Sequence, residues 1–339
     1  AFFRPKLAWA PALRPRPRPM VGVPPPAWPA GFALTLGAFR TLLRNFPAPL
    51  VESEGAAQAF LQPLANNVAW PSLLLPQGIS VKAGAVRGIK GEWFLPAAKR
   101  EGSECMKRLL VWAHGGGFVF CSPGTHRLFL AQVAARSAVP VFCVDYRKPP
   151  GAPYPAPMED VLDAFCGLRE QEPEQRLFLG GDSAGGNLAI GATKALLRQR
   201  EASGPAPPDG LLLLSPWADL ADTTDPSWES KVDYIPANLA QVVARHYAGG
   251  LALDDERLSP ARSKDWAGFP PVLLDYAGEE CFRSQIERLR EAMAQGGVEV
   301  DVRQEEGMVH CHPLWEFAWG PGAGPFQAYF DRVASFLRR

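Results

Sequence analysis

From residue 79 onward, short unbroken apolar runs alternate with longer stretches of helical periodicity, and no other feature constrains the fold as tightly. Ile79 to Val86 and Glu92 to Leu95 read as a hairpin around Gly88 and Gly91. Leu109 to Ala113, Val139 to Val144, Leu177 to Leu179, Leu211 to Leu214, Val272 to Tyr276 and Val298 to Val302 read as six further strands. Residues 126–137, 157–170, 185–200 and 284–295 read as helices between them. Apolar runs without polar alternation fit strands buried on both faces, as in a parallel sheet covered by helices. The expectation is an α/β fold with a mostly parallel eight-stranded sheet and helices on both faces. Ligands of such sheets bind beyond the carboxyl ends of the strands, so chemistry is sought there.

Residues 1–30 differ in kind. Arg-Pro repeats and Pro24-Pro25-Pro26 favour extended geometry and supply few backbone donors, which reads as a tail. Arg4, Lys6, Arg14, Arg16 and Arg18 precede the first acid, Glu52. That charge bias half-matches a transit peptide, but the stretch has no serine, and a surface-draped tail is the preferred reading. Residues 31–46 and 56–70 carry apolar side chains at helical spacing, Phe32, Leu36, Phe39 and Leu43 in the first and Ala57, Phe60, Leu61 and Leu64 in the second. Residues 221–258 lack a strand and are rich in Trp, Tyr and Asp, the natural place for an insertion over the site.

Composition narrows the function classes. A net charge of zero with no basic block beyond the N-terminus gives no electrostatic reason for a nucleic-acid partner, so a small uncharged substrate is expected. Six scattered cysteines lack zinc-site or disulfide-scaffold spacing, and no metal or other cofactor is implied. The most apolar N-terminal stretch, 31–46, is broken by Arg40 and Arg44, so no transmembrane segment is expected and a cytoplasmic protein is the working assignment. The oligomeric state is open, a homodimer being one option.

Gly181-Asp182-Ser183-Ala184-Gly185 lies between a strand and a helix, the G-x-S-x-G context in which a sharp turn exposes a serine nucleophile. The flanking positions must be small for strand and helix to pack so closely. A Gly-rich helix entry that binds an anion is the competing reading. His114-Gly115-Gly116-Gly117 follows the strand at 109–113. Backbone N–H groups there can approach a developing oxyanion, and Gly116, Gly117 and Ala184 are the expected donors. His114, with Gly115, is expected to tie the loop down rather than act as a base, and a merely flexible loop is the alternative.

These two motifs, with Asp145-Tyr146-Arg147, Ser215-Pro216-Trp217-Ala218-Asp219 and Gly307-Met308-Val309-His310 in that order, make residues 80–339 resemble the hormone-sensitive lipase family of α/β-hydrolases. The resemblance implies a helical cap, drawn from residues 1–78 and the 221–258 insertion, over a catalytic domain spanning 79–339. It also implies a triad in the order serine, acid, histidine. His310 is then the base, with His312 its rival, while His126 and His246 read as surface or packing residues. The family's usual Asp is absent; Gly278-Glu279-Glu280-Cys281 stands in its place, so Glu280 is the expected acid, with Glu279 and Asp275 as alternatives. Asp145 and Asp219 read as structural. Trp217, Trp228, Tyr234, Phe118 and Phe120 either line a pocket or pack in the core.

The resemblance implies a serine carboxylesterase acting on short- to medium-chain esters through an acyl-enzyme. Amide or arylacetamide deacetylation uses the same groups. A non-catalytic receptor on the same fold is a different class, disfavoured because both Ser183 and His310 are present.

Overall fold

The computed structural model describes residues 28–46, 53, 75–97, 107–200, 205–319 and 324–339. The helix expected at 56–70 and most of the N-terminal tail lie outside these residues. Eight strands form one sheet in the order β1-β2-β4-β3-β5-β6-β7-β8: β1 Ile79–Val86, β2 Ile89–Pro96, β3 Arg108–Ala113, β4 Val141–Val144, β5 Arg176–Asp182, β6 Leu211–Leu214, β7 Val272–Ala277 and β8 Val300–Glu305. β1 and β2 pair antiparallel, as do β2 and β4, and all later pairs are parallel. Arg87 and Gly88 turn the β1–β2 hairpin, both with positive φ, the geometry whose twist matches the flanking strands.

Eight helices accompany the sheet among the described residues: α1 Ala30–Arg44, α2 Arg127–Ser137, α3 Ala156–Gln171, α4 Ala184–Arg200, α5 Ala237–Ala248, α6 Arg283–Gln295, α7 Glu316–Trp319 and α8 Phe326–Arg338. Alternate residues of one strand feed opposite cores. Val111, Leu179, Leu213 and Leu274 pack with α3, α4, α5 and α6, whereas Leu110, Trp112, Phe178, Leu212 and Leu273 pack with α1, α2 and α8. Each fully buried side chain of this size contributes roughly 1.5–3 kcal/mol, which is why the strands tolerate no polar alternation.

Several boundaries move for local reasons. β4 starts at Val141 because Pro140 has no N–H and the Val139 N–H is taken by Ser137 Oγ. β8 starts at Val300 because the Val298 N–H donates to Met293 O at the end of α6. The 221–258 segment is strandless, as expected, but holds α5, whose buried Ala240, Val243, Ala244 and Tyr247 repeat at helical spacing. Trp28, read as part of the tail, donates from Nε1 to Gly307 O at 3.1 Å and packs edge-on against Phe32. No described helix is long and apolar enough to cross a membrane.

Gly185 shows why the elbow needs small residues. A Cβ there would lie 2.0 Å from Ala113 O, with no side chain to move aside. Gly37, in α1, has open space around its α-carbon. Gly185→Ala should therefore cost about 1–3 kcal/mol of stability through forced backbone shifts. Gly37→Ala should be neutral or stabilising by up to about 1 kcal/mol. Urea unfolding followed by circular dichroism checks both, and equal midpoints for the wild type and Gly185→Ala would contradict the packing argument.

Candidate active site

Ser183 sits between β5 and α4 with φ +53°, a left-handed conformation that a non-glycine residue holds only when its surroundings enforce it. Its N–H donates to Leu214 O at 2.9 Å, and its carbonyl accepts from Trp217 N–H at 2.9 Å. The side chain stands at the carboxyl end of β5 and is 7% exposed. Ala184 opens α4, so its N–H is one of the free donors of a helix N-terminus.

The glycine loop after β3 is held against this elbow by Asp182. Its Oδ1 accepts from Gly115 N–H at 3.1 Å and from Trp112 Nε1 at 3.0 Å, and its Oδ2 pairs with His126 Nε2 at 3.1 Å. A Cβ on Gly115 would approach Asp182 Oδ2 to 2.3 Å, which accounts for that glycine. Gly116 and Gly117 have φ of +110° and +61°. A Cβ on Gly117 would lie 3.1 Å from Val243 of α5, which packs against the loop. Of the two readings of His126, surface or packing, the structure shows the second: it is buried and partners Asp182.

His114 packs away from any proton-transfer role. Its ring stacks on Tyr146 with centroids 4.3 Å apart, and Nδ1 lies 2.7 Å from Gly115 O. Burial, with help from Lys148 and His126, holds its pKa well below the usual imidazole value, so it is neutral.

The loops after β7 and β8 bring Glu280 and His310 together. Glu280 is buried, and its Oε2 accepts from Ser215 Oγ at 2.5 Å and Ala277 N–H at 3.0 Å. Its Oε1 faces His310 Nδ1 at 3.8 Å, an ion-pair separation longer than a hydrogen bond. Neither atom has another hydrogen-bond partner among the described residues. A buried acceptor and a buried donor that lack partners favour closing on each other, since each left alone costs roughly 1–3 kcal/mol. Burial works against charge on His310, but the carboxylates of Glu280, Asp233 and Asp182 outweigh it and raise the imidazole pKa. His310 Nε2 lies 3.3 Å from Cys311 Sγ, and no hydrogen bond to Ser183 is present among the described residues.

The rival residues are placed elsewhere. His312 stacks against Phe326, and burial with Arg303 nearby pushes its pKa down to about 3. Glu279 is exposed, with its N–H donating to Met308 O. Asp275 pairs with Arg332 at 2.6 Å, and burial raises its pKa to about 7 despite that cation. Asp145 pairs with Lys148, and Asp219 with Arg262 and Arg288. Trp217 and Phe118 are buried in the core, and Phe118 stacks on Tyr247 at 3.7 Å.

Two residues of this site escaped the sequence reading. Ser215, with φ +46°, donates to Glu280 and accepts from Cys311 N–H at 3.1 Å. Asp233 accepts from the N–H groups of both His310 and Cys281. Ser215 opens the Ser-Pro-Trp motif and was a legible candidate, whereas nothing local marks Asp233. Among the described residues no group of His, Cys, Asp and Glu could hold a metal ion.

A family described as having the alpha/beta hydrolase fold matches residues 110–314. An acetyl-hydrolase of Streptomyces hygroscopicus is 34% identical over 259 residues, 73% of this chain and 80% of that protein. An esterase of Acinetobacter venetianus is 31% identical over 285 residues, 81% of this chain and 90% of its own length. Among solved structures, an esterase from the bacterial hormone-sensitive lipase family superposes with a TM-score of 0.73 at 26% identity, covering 92% of this chain and 98% of that one. With the sheet order, the elbow and the glycine loop already in place, these likenesses assign the chain to the hormone-sensitive lipase family of α/β-hydrolases.

Proposed function

We propose that the protein is a serine carboxylesterase of short- to medium-chain esters, with Ser183 as nucleophile, His310 as general base and Glu280 as the acid that orients it. The observation that carries this is the convergence of three strand ends: the strained Ser183 after β5, the glycine loop pinned beside it by Asp182, and the Glu280–His310 pair. The esterase and acetyl-hydrolase relatives support the same substrate class.

In this reading Ser183 Oγ attacks the ester carbonyl while its proton passes to His310 Nε2. The negative charge that forms on the carbonyl oxygen is met by the N–H groups of Gly116, Gly117 and Ala184. The imidazolium, stabilised by Glu280, returns the proton to the leaving alcohol. Water then repeats the sequence on the acyl-enzyme. The serine–imidazole hydrogen bond need only form with substrate bound. His114 and Gly115 support the glycine loop. The proposed division is a cap drawn from residues 1–78 and 221–258 over a 79–339 catalytic domain, and among the described residues Phe39 of α1 meets Tyr234 at 5.3 Å while Tyr234 reaches His310 O. No cofactor enters any step, the substrate is a small uncharged ester, and the cytoplasm remains the working location.

Hydrolysis of p-nitrophenyl esters from acetate to palmitate tests the proposal. Wild type should peak at short to medium chains, and Ser183→Ala should lose activity by a factor on the order of 10⁴ or more while staying folded. Unchanged turnover in that variant would end the serine mechanism. Anilides turned over as fast as matched esters would favour an amidase.

The acid limb of the pH profile tests the pair. His310 acts as a base when neutral, and its pKa is raised, so activity should fall on the acid side above the ordinary imidazole value of about 6.5. Removing the Glu280 carboxylate withdraws charge that favours imidazolium, so Glu280→Gln should shift this limb to lower pH and cut kcat. Glu279→Gln, at an exposed site, should do neither. A limb that moves with Glu279 instead would transfer the role.

A further inference from the structure

We infer that Asp233 is a positioning residue that fixes Glu280 and His310 relative to each other, so that docking of the covering segment completes the acid–base pair. The inference rests on the catalytic roles proposed above. The segment from Ser227 to Tyr234 grips the backbone of both loops. Ser227 Oγ donates to Cys281 O and Ser230 Oγ to Glu279 O, each at 2.7 Å. Asp233 Oδ2 accepts from Cys281 N–H at 2.8 Å, and its Oδ1 accepts from His310 N–H at 3.1 Å. Tyr234 OH donates to His310 O at 3.1 Å.

Both backbone groups of the base are thus held by consecutive residues of one segment, and the residues on either side of Glu280 are held by the same segment. The two loops leave the paired strands β7 and β8 and are also tied by Glu279 N–H to Met308 O and by Ser215, which holds Glu280 and the Cys311 N–H. Asp233 adds the brace that reaches the N–H of His310 itself. A carboxylate that spends one oxygen on each N–H is a rigid brace, and at 3% exposure its two bonds do not exchange with water.

Asp233 also acts through charge. The groups facing His310 are Glu280 from the β7 loop, Asp182 from β5, Cys311 beside it, and Asp233 and Tyr234 from the covering segment. Burial disfavours imidazolium and the carboxylates favour it, so neutralising Asp233 makes His310 harder to protonate.

The test compares Asp233→Asn with Asp222→Asn, which removes a salt bridge between the 221–258 stretch and Arg288 of α6 without touching either loop. The readouts are kcat and KM on p-nitrophenyl acetate across pH, thermal unfolding, and the NMR titration of the His310 ring in resting protein, assigned by its loss in His310→Gln. Asp233→Asn should lower kcat by about tenfold to a hundredfold, as expected for slight misplacement of a reacting group, with KM nearly unchanged. Its acid limb and the His310 titration should both move to lower pH. Asp222→Asn should leave both where they are. An Asp233→Asn enzyme with wild-type kcat and an unmoved His310 titration, altered only in melting temperature, would overturn the inference. Failure of the esterase reading would show separately, as a wild type without serine-dependent turnover, and the titration would still decide the role of Asp233.

Discussion

The buried carboxylate of Asp182 joins the parts of the site that the sheet alone would leave independent. It ends β5, immediately before Ser183, and accepts from the Gly115 N–H of the loop after β3 and from the indole of Trp112 within β3. His126, at the entry to α2, completes its shell. Strand pairing sets β3 and β5 side by side, but it says nothing about how far the glycine loop leans toward the serine. Hydrogen bonds to an ionised group are worth about 1.5–3 kcal/mol each when both partners are buried, and removing one partner leaves a desolvated charge behind. Loop and elbow are therefore bound as one unit, and the N–H groups proposed as oxyanion donors inherit their position from it.

Most of the fold was legible because its signals are local. Strands buried on both faces are written as runs such as Leu211–Leu214, and the elbow announces itself through glycines whose missing Cβ atoms make room for Ala113 and Gly185 itself. Shifts at β4 and β8 come from single donors diverted elsewhere. α5 and α8 carried readable spacing, Tyr329, Phe330, Val333 and Leu337 in the latter, and needed only a longer window. The long-range braces were not legible. Asp233 lies 48 and 77 residues from the groups it holds, and no local pattern distinguishes it from the solvated Asp residues near it. Ser215 owes its role to a positive φ and a neighbour 65 residues away.

The histidines show how environment sorts identical side chains into different work. His114 and His312 are buried with no carboxylate close enough to compensate, so desolvation wins and both stay neutral. His114 consequently serves as a stacking plate for Tyr146 and His312 as one for Phe326. His310 is buried as deeply, yet three carboxylates converge on it from β5, the β7 loop and the covering segment. Of these three histidines His310 alone has carboxylates close enough to offset burial, the property that the proposed role of general base requires. The same three acids are each held by N–H or O–H donors. What marks out the proposed base is thus the tertiary convergence of acids rather than the Gly-x-x-His spacing that first suggests it.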